Sequence, residues 1–294
     1  MLILLFACTP QATPDTQTPD TDSAADTSAA DTSEADTGEA DTFPAVDLTL
    51  TGFSSPESIL YDATGDRYLV SNIQGNAGED DGDGFISVVT PEGTIESLRW
   101  ISSPLSAPKG MAIDGDRLYV ADLDAVEVFE RATGTWLESI ALPTGRSNDV
   151  TIGPDGALYV TERIDVIVYR IEDGMPVVLA SGEALGEPNG IVGYPDGLLV
   201  LDSTGRVLQL DLDGQITVQA ELPSFPLDGI LLHPDHTLLV SCWGASAIYA
   251  VDDSESVVLL SDLSSPADIG LDTLRDRLLV PQMITDQIRI ITLP

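Results

Sequence analysis

A six-fold internal repeat constrains the fold of this 294-residue chain more than any other feature of its sequence. Each copy has an apolar run, a polar turn and a second apolar run, as in PKGMAIDGDRLYVAD and PNGIVGYPDGLLVLD. The copies begin at Pro56, Pro108, Ser147, Pro188, Leu227 and Pro266, at spacings of 52, 39, 41, 39 and 39 residues. Regular spacing of this length indicates a repeat architecture in which each copy forms one supersecondary unit.

The residues between the copies indicate what that unit is. Two further β-like runs lie between successive copies, for example Ala125–Glu130 and Trp136–Ile140, and no stretch has a helical period. Four strands in about 40 residues are typical of a β-propeller blade. A sandwich or an open barrel does not explain six equal copies. The sequence therefore predicts an all-β, six-bladed propeller over residues 47–294, with four-stranded antiparallel blades.

The two ends of the repeat region predict how the ring closes. Only one strand-like run, Gln287–Leu293, follows the sixth copy, so the last blade lacks a strand. The run Val46–Gly52 alternates as a β-strand does and precedes the first copy. We predict that this N-terminal strand completes the last blade, because closure removes an exposed sheet edge.

The second residue of each copy should lie at one mouth of the central channel, because the first strand of a propeller blade is innermost. We call these six positions the slot residues: Glu57, Lys109, Asn148, Asn189, Asp228 and Ala267. Two carboxylates and two amides offer the oxygen ligands that Ca²⁺ prefers. Zn²⁺ or Mn²⁺ in an open site is the alternative. A structural zinc site is disfavoured because none of the slot residues is a histidine or a cysteine. Each residue alone could equally serve a turn; four together predict one divalent-cation site.

Lys109 is the only lysine of the chain and occupies a slot. At roughly 6–8 Å from a divalent cation it would be repelled by about 4–6 kcal/mol at an effective dielectric constant of ~20. Three roles remain open. Lys109 could pair with Glu57 or another carboxylate, await an anionic substrate, or take the place of the metal.

Four local patterns in the copies are distinctive. They are Glu57 in the first copy, Arg146-Ser-Asn148-Asp149, Pro188-Asn189-Gly190, and Asp228-Gly229 with the run LLVSCWGASAIYAVD after it. Together they resemble the gluconolactonase/senescence marker protein (regucalcin) family of six-bladed propellers over about residues 53–294. The chain departs from that family at Ile59 and Tyr61, where the family usually has Pro and Trp.

The resemblance implies a role for each matched residue. Glu57, Asn189 and Asp228 would bind a divalent metal, with Asn148 beside it as a further ligand or a substrate contact. Arg146 would contact the substrate, and Asp228 would also be the general base for lactone hydrolysis. Lys109 is not expected in the pocket of that family, and its slot position alone makes it a further candidate for substrate binding. The implied function is a metal-dependent hydrolase of a small-molecule lactone or related ester. The alternative is a non-catalytic, NHL-like propeller that binds a ligand or a protein.

Two other polar segments are predicted to have different positions relative to the slots. His233 and His236 fall in the turn after the innermost strand of the fifth blade, so they should lie at the end of the channel opposite the slots. The acidic loop 75–84 joins the second and third strands of the first blade and should overhang the slot mouth.

The N-terminal region predicts export. Residues 1–8 form an apolar run ending in Ala7-Cys8, with Leu5 three residues before the cysteine, and resemble the lipobox of bacterial lipoproteins. Residues 9–46 contain nine acidic and no basic residues and are predicted to be a disordered linker. We therefore expect an outer-membrane or periplasmic lipoprotein, or a cell-surface protein, attached to the membrane only through a lipid on Cys8.

Charge limits the other partners. The chain has 49 acidic and 12 basic residues and a formal net charge of −37. Nucleic-acid binding requires clusters of Lys and Arg that neutralise phosphates, so this class of function is disfavoured. We expect a monomer that acts on a small molecule.

Overall fold

Six four-stranded antiparallel sheets make up this computed structural model, which describes residues 43–252 and 255–293. The predicted six-bladed propeller is confirmed. The lipobox-like segment 1–8 and residues 9–42 of the predicted linker lie outside the described residues. No helix of the described chain is long and apolar enough to cross a membrane.

The strands follow the repeat in chain order. The first strand of the described residues is β1 (Asp47–Thr51), and blade 1 contains β2 (Pro56–Asp62), β3 (Arg67–Asn72), β4 (Phe85–Val89) and β5 (Ile95–Ile101). Blade 2 contains β6 (Pro108–Asp114), β7 (Arg117–Asp122), β8 (Ala125–Glu130) and β9 (Trp136–Ala141). Blade 3 contains β10 (Ser147–Ile152), β11 (Leu158–Glu162), β12 (Ile167–Glu172) and β13 (Met175–Ser181).

The second half of the ring repeats this order. Blade 4 contains β14 (Pro188–Tyr194), β15 (Gly197–Asp202), β16 (Arg206–Leu210) and β17 (Ile216–Glu221). Blade 5 contains β18 (Leu227–Leu232), β19 (Leu238–Cys242), β20 (Ala247–Asp252) and β21 (Glu255–Leu260). Blade 6 contains β22 (Gly270–Asp272), β23 (Arg277–Gln282) and β24 (Gln287–Thr292). Two short 3₁₀ helices span Glu183–Leu185 and Met283–Thr285.

The N-terminal strand closes the ring, as predicted. β1 pairs antiparallel with β24, with Asp47 opposite Ile291 and Thr51 opposite Gln287. An ion pair joins the same two strands, because Arg289 Nη2 lies 2.7 Å from Asp47 Oδ2. Blade 6 therefore consists of β22, β23 and β24 together with β1, and the pairing of β1 with β24 holds the first and last blades of the ring together.

The apolar core is divided into six clusters, each formed between two neighbouring blades. Between blades 4 and 5, for example, Leu199 packs in the same cluster as Val240 and Ile230. Burial of these faces supplies the main driving force for folding. Because each blade shares core with both neighbours, the innermost strands are held in fixed positions around the channel.

A β-bulge at the start of five innermost strands positions the slot residues. The pairing slips between Pro56 and Ile59, Pro108 and Met111, Ser147 and Val150, Pro188 and Ile191, and Leu227 and Ile230. A bulge leaves a residue unpaired and redirects its side chain. The five polar slot residues all lie within these bulges.

Blade 6 departs from the pattern because of Pro281 in β23. Proline has no N–H to donate to the sheet, and regular pairing of β22 with β23 begins only at Gly270 opposite Leu279. Before that point, Asp268 N donates to Glu57 O of blade 1 at 2.8 Å, and Asp268 forms a parallel bridge with Ser58. The backbone at the sixth slot thus binds directly to blade 1.

Candidate functional site

The structure brings the slot residues together at one mouth of the channel. All six are at most 9 % exposed, although their sequence positions span more than two hundred residues. Asn148 Nδ2 donates to Asn189 Oδ1, and Asn189 Nδ2 donates to the carbonyl of Leu227 at 3.1 Å. These bonds connect blades 3, 4 and 5 at the level of the slots.

Hydroxyl groups on the second strands support the slot backbone. Thr161 Oγ1 accepts from Asp149 N at 3.0 Å and donates to Asn189 O at 2.7 Å. In blade 5, Ser241 Oγ accepts from Gly229 N at 2.8 Å and donates to the slot carbonyl of Ala267 at 2.7 Å. These hydroxyls satisfy polar groups of the bulge and tie each slot to the next blade.

Asn-Gly and Asp-Gly at the slots do not form turns, because Asn189 lies in β14 and Asp228 lies in β18. The glycine serves close packing of adjacent innermost strands. A Cβ on Gly229 would lie 2.6 Å from Asp268 Cα in blade 6, a distance that real Cβ atoms do not tolerate. The turn alternative is therefore wrong for these two residues.

Glu57 carries the clearest sign of a missing partner. Its side chain is buried, and Oε2 has no hydrogen-bond partner among the described residues. Burial first, and then the charges of Asp228 and Asp268, raise the pKa of Glu57 well above its usual range. A buried carboxylate without partners is costly unless a cation or a proton neutralises it.

Asp228, the candidate base, is in a similar environment. Burial first, and then the charge of Asp268, raise its pKa to about 7, while Arg163 opposes the shift. The indole N–H of Trp243 also acts to lower the pKa of Asp228. This buried N–H has no hydrogen-bond partner among the described residues. A carboxylate with a pKa near neutrality is well matched to proton transfer.

Two carboxylates that the sequence analysis did not select lie directly below the slots: Asp149, which is buried, and Asp268, which is partly buried. Asp149 accepts from Val150 N at 2.7 Å and from Ile191 N at 2.8 Å, and Asp268 accepts from Ser58 Oγ at 2.5 Å. Burial raises the pKa of Asp149 well above its usual range and that of Asp268 to about 7. The available signal was positional, because both residues immediately follow a slot residue.

Lys109 does not form the carboxylate pair that was one of its three expected roles. Among the described residues, no carboxylate oxygen lies within 4.0 Å of its ammonium group. Its Nζ donates to the carbonyl of Ala107 at 3.1 Å. Burial lowers the pKa of Lys109, and the more distant charges of Glu57 and Asp122 oppose that shift.

A cavity of about 510 Å³ opens beside the slots. Its lining residues are Ala77, Lys109, Arg146, Ser147, Asn148, Arg163, Ile164, Val166 and Glu187. It therefore contains the three predicted substrate contacts, Lys109, Arg146 and Asn148. The loop 75–84 reaches this mouth as predicted, since Ala77 lines the cavity and Gly78 lies against the guanidinium of Arg146.

The histidines are at the other end, also as predicted. β18 runs from Leu227 at the slot end to Leu232, and His233 and His236 follow in the turn to β19. His233 Nε2 lies 3.0 Å from Asp276 Oδ1, and Nδ1 lies 2.8 Å from Asp235 Oδ1. No histidine is therefore available to the slot mouth, because the chain has only these two.

A divalent cation at this mouth would need a mixed ligand set. Within residues 43–252 and 255–293, no group of three or more His, Cys, Asp or Glu side chains is arranged to hold a metal ion. The predicted set instead combines Glu57 and Asp228 with the amide oxygens of Asn148 and Asn189. The unpartnered oxygen of Glu57 supports this set, and all-oxygen ligation suits a hard cation such as Ca²⁺.

Comparison with known proteins shows a shared fold. No protein-family model and no curated protein sequence matches the chain. Among solved structures, a gluconolactonase from Xanthomonas campestris is 18 % identical, with a TM-score of 0.67 over 85 % of this chain and 90 % of that one. A putative gluconolactonase from a structural genomics consortium gives 18 % identity and a TM-score of 0.67 over 86 % and 94 %.

The similar structures also include an enzyme of another class. A catalytically inactive histidine-to-alanine variant of virginiamycin B lyase from Staphylococcus aureus, with quinupristin, is 19 % identical, with a TM-score of 0.60 over 85 % of this chain and 99 % of that one. At these identities the likeness concerns the six-bladed fold. At that level the predicted resemblance to gluconolactonase propellers is confirmed.

Proposed function

We propose that the propeller is a divalent-metal-dependent hydrolase of a lactone or related ester, with its active site at the slot mouth. The observation that carries this proposal is the buried Glu57 oxygen without a partner, beside three other oxygen-bearing slot residues. Glu57, Asn148, Asn189 and Asp228 would hold the cation, with Ca²⁺ favoured and Zn²⁺ or Mn²⁺ as alternatives. A bound divalent cation would polarise the substrate carbonyl and stabilise the negative charge that develops on its oxygen.

The chain's own side chains supply the remaining chemistry. Asp228 accepts a proton from the attacking water, the water oxygen bonds to the carbonyl carbon, and the acyl–oxygen bond breaks. The protonated Asp228 returns its proton to the departing oxygen, which becomes a hydroxyl group, and the carboxylic acid product loses its proton to solvent to give a carboxylate. Arg146 and Asn148 donate hydrogen bonds that orient the substrate, since both line the adjoining cavity.

A lyase reaction that depends on histidine receives no support from this mouth. The inactive lyase variant lacks a histidine, whereas both histidines of this chain lie at the opposite end of the channel. The gluconolactonase structures are therefore the better guide to the reaction class.

The test combines metal content with turnover. Protein purified without chelator should contain one divalent ion per chain and hydrolyse D-glucono-δ-lactone or a simple aryl ester. Asp228→Asn should lower kcat by about a hundredfold or more, the usual range for loss of a general base. The matched control is Asp196→Asn, an exposed aspartate in the turn between β14 and β15.

Two results would contradict the hydrolase proposal. One is the absence of a stoichiometric metal, and the other is unchanged hydrolysis in Asp228→Asn. Together they would favour the non-catalytic, NHL-like binding propeller, whose partner would still bind the Asp228→Asn protein.

We also propose that the chain is exported and lipidated at Cys8. The support is the sequence of residues 1–8 and the acidic segment behind it. Metabolic labelling with a fatty acid should mark the full-length protein in a bacterial host, and Cys8→Ser should abolish the label. Label retained in Cys8→Ser would contradict this assignment.

A further inference from the structure

Positive charge is concentrated at one place in a strongly acidic molecule. The chain has 12 basic and 49 acidic residues, yet three basic residues, Lys109, Arg146 and Arg163, line the cavity of about 510 Å³ beside the slots. Only one acidic residue, Glu187, is among the residues that line it. We call this cavity the cationic pocket.

Most arginines elsewhere in the described chain are neutralised by carboxylates. Examples are Arg67 with Asp62 at 3.0 Å, Arg206 with Asp202 at 2.5 Å, and Arg289 with Asp47 at 2.7 Å. Two exceptions donate to uncharged oxygens: Arg277 to the carbonyl of Pro91, and Arg99 to the carbonyl of Asp83 and the amide of Gln74.

The cations of the pocket are less well satisfied. Among the described residues, Lys109 and Arg146 have no carboxylate oxygen within 4.0 Å, and Arg163 has only Glu187 at 3.4 Å. Both members of that last pair are largely exposed, with side chains 42 % and 55 % accessible. All three cations therefore keep donors that face the cavity without strong partners.

Lys109 is the pocket residue with the greatest need for a counter-charge. It is 7 % exposed, and its only hydrogen bond within residues 43–252 and 255–293 goes to the carbonyl of Ala107. An ammonium group has three donors, and burial of a charge without an opposite charge is unfavourable. An anion in the pocket would supply that opposite charge and accept the remaining hydrogen bonds.

We propose that the cationic pocket binds an oxyanion group of the substrate, a carboxylate or a phosphate, so that the natural substrate is an anionic lactone or ester. The reaction itself rests on the proposed function, whereas anion binding does not. Arginine guanidinium groups bind carboxylates and phosphates through paired hydrogen bonds. The pocket volume of about 510 Å³ is in the range of sites for small organic ligands.

The position of Asn148 links the two parts of this site. Asn148 is a slot residue that bonds to Asn189, and it also lines the cationic pocket. A substrate held by its anionic end against Arg146 and Arg163 would thus reach the slots with its carbonyl. Substrate charge would be recognised in the pocket, and the reaction would take place at Glu57 and Asp228.

The binding test uses calorimetry on the full-length protein with three six-carbon probes that resist hydrolysis. They are sorbitol, which is neutral, D-glucarate, which carries carboxylates, and sorbitol 6-phosphate. At least one anion should bind about tenfold or more tightly than sorbitol, and the anion that binds identifies the group. Arg146→Gln and Arg163→Gln should each weaken its binding by about five- to tenfold, as expected for loss of a charge-assisted hydrogen bond.

Two variants make the test specific. Arg117→Gln removes another exposed arginine that pairs with a glutamate, Glu138, far from the pocket, and should leave the affinity unchanged. Glu57→Gln removes a proposed metal ligand and should leave Arg163-dependent binding in place, which excludes simple chelation by the probe. Equal affinity for sorbitol and both anions, or no loss in the Arg146 and Arg163 variants, would overturn the inference.

Kinetics separate this inference from the hydrolase proposal. Arg163→Gln should lower the ratio of kcat/KM for the anionic D-glucaro-γ-lactone to that for the neutral D-glucono-δ-lactone by about fivefold, because one of two pocket guanidinium groups is lost. The ratio is the readout because the charge of Arg163 also lowers the pKa of Asp228 and therefore acts on both substrates. Anion binding that depends on Arg163 without any lactone hydrolysis would refute only the hydrolase. Hydrolysis with no preference for the anionic lactone and an unchanged ratio in Arg163→Gln would refute only the pocket.

Discussion

The innermost strands have opposite character at the slot mouth and two residues further along. The slot position varies between blades and includes Glu57, Lys109 and Asp228. The position two residues later is aliphatic or methionine in every blade: Ile59, Met111, Val150, Ile191, Ile230 and Ile269. These six residues line the opposite part of the channel, in a cavity of about 310 Å³.

The apolar positions stabilise the fold, whereas the slot positions and the carboxylates next to them form the candidate site. The apolar positions join the clusters between blades, so their burial stabilises the ring. In addition to burial, the charges of Asp228, Asp268 and Asp149 raise the pKa of Glu57, and the charge of Asp268 also raises the pKa of Asp149 and Asp228; this repulsion opposes folding. A cluster that costs stability in this way is typical of a functional site.

The largest effect on folding should come from the apolar position. Ile230→Ala should lower the free energy of unfolding by about 3 kcal/mol, because it leaves a cavity in the core between blades 4 and 5. Urea denaturation measures this change. The control Val257→Ala, at a valine that is 64 % exposed on β21, should stay within about 0.5 kcal/mol. Similar losses in both variants would show that this position is not special.

The slot residue Glu57 of blade 1 should respond to metal rather than to packing. Saturation of the wild-type protein with Ca²⁺ at about a hundred times its Kd should add about 2.7 kcal/mol of stability. In Glu57→Gln most of this gain should be lost, because a charged ligand is replaced by a neutral amide. Thermal denaturation with and without chelator gives the comparison. A gain from Ca²⁺ that is equal in Glu57→Gln would remove Glu57 from the ligand set.

The carboxylate below the slots should show the opposite sign from the apolar position. Asp268→Asn should raise the free energy of unfolding in chelator at pH 8 by about 2 kcal/mol, because it removes a partly buried charge and keeps an acceptor for Ser58. The folded-state pKa of Asp268, about 7, is above its unfolded value. Wild-type stability therefore falls as pH rises from about 4 to 7, and the variant lacks this contribution.

Denaturation at two pH values tests the sign. The benefit of Asp268→Asn should nearly vanish at pH 4, where the carboxyl is protonated in the folded state and about half protonated in the unfolded state. The surface control Asp196→Asn should show no such pH-dependent gain. An Asp268→Asn protein that is less stable than wild type at pH 8 would mean that the carboxylate is needed in its ionised form.

The fold could be predicted from the sequence because its information is local and repeated. Each copy contains its own apolar runs and turns, and the strand missing after Gln287–Thr292 could be matched to the unassigned strand at Asp47–Thr51. The slot residues followed from the same repeat. Their shared position in the copies was enough to place them at one mouth.

The rest of the site depends on distances between blades that no single copy contains. Asp149 and Asp268 follow slot residues, but their burial and mutual repulsion arise only when neighbouring strands meet. Arg163 lies just after β11, and nothing in its sequence context shows that it lines the cavity with Lys109. The absence of a carboxylate partner for Lys109 likewise depends on the arrangement of separate blades.

The smallest expected effect is at the far end of blade 5, where His233 binds Asp276 and Asp235. Burial opposes protonation, but the hydrogen bonds to Asp276 and Asp235 raise the pKa of His233 above its usual range. The contribution to stability is fully present below the unfolded pKa, near 6.5, and is lost as pH rises through the folded pKa. His233→Gln should therefore cost about 0.5 kcal/mol at pH 5.5 and less at pH 8.5, since the partner carboxylates are exposed. The control His236→Asn, in the same turn, should show no such pH dependence. A cost in His233→Gln that is the same at both pH values would mean that packing of the ring, not its charge, holds this turn.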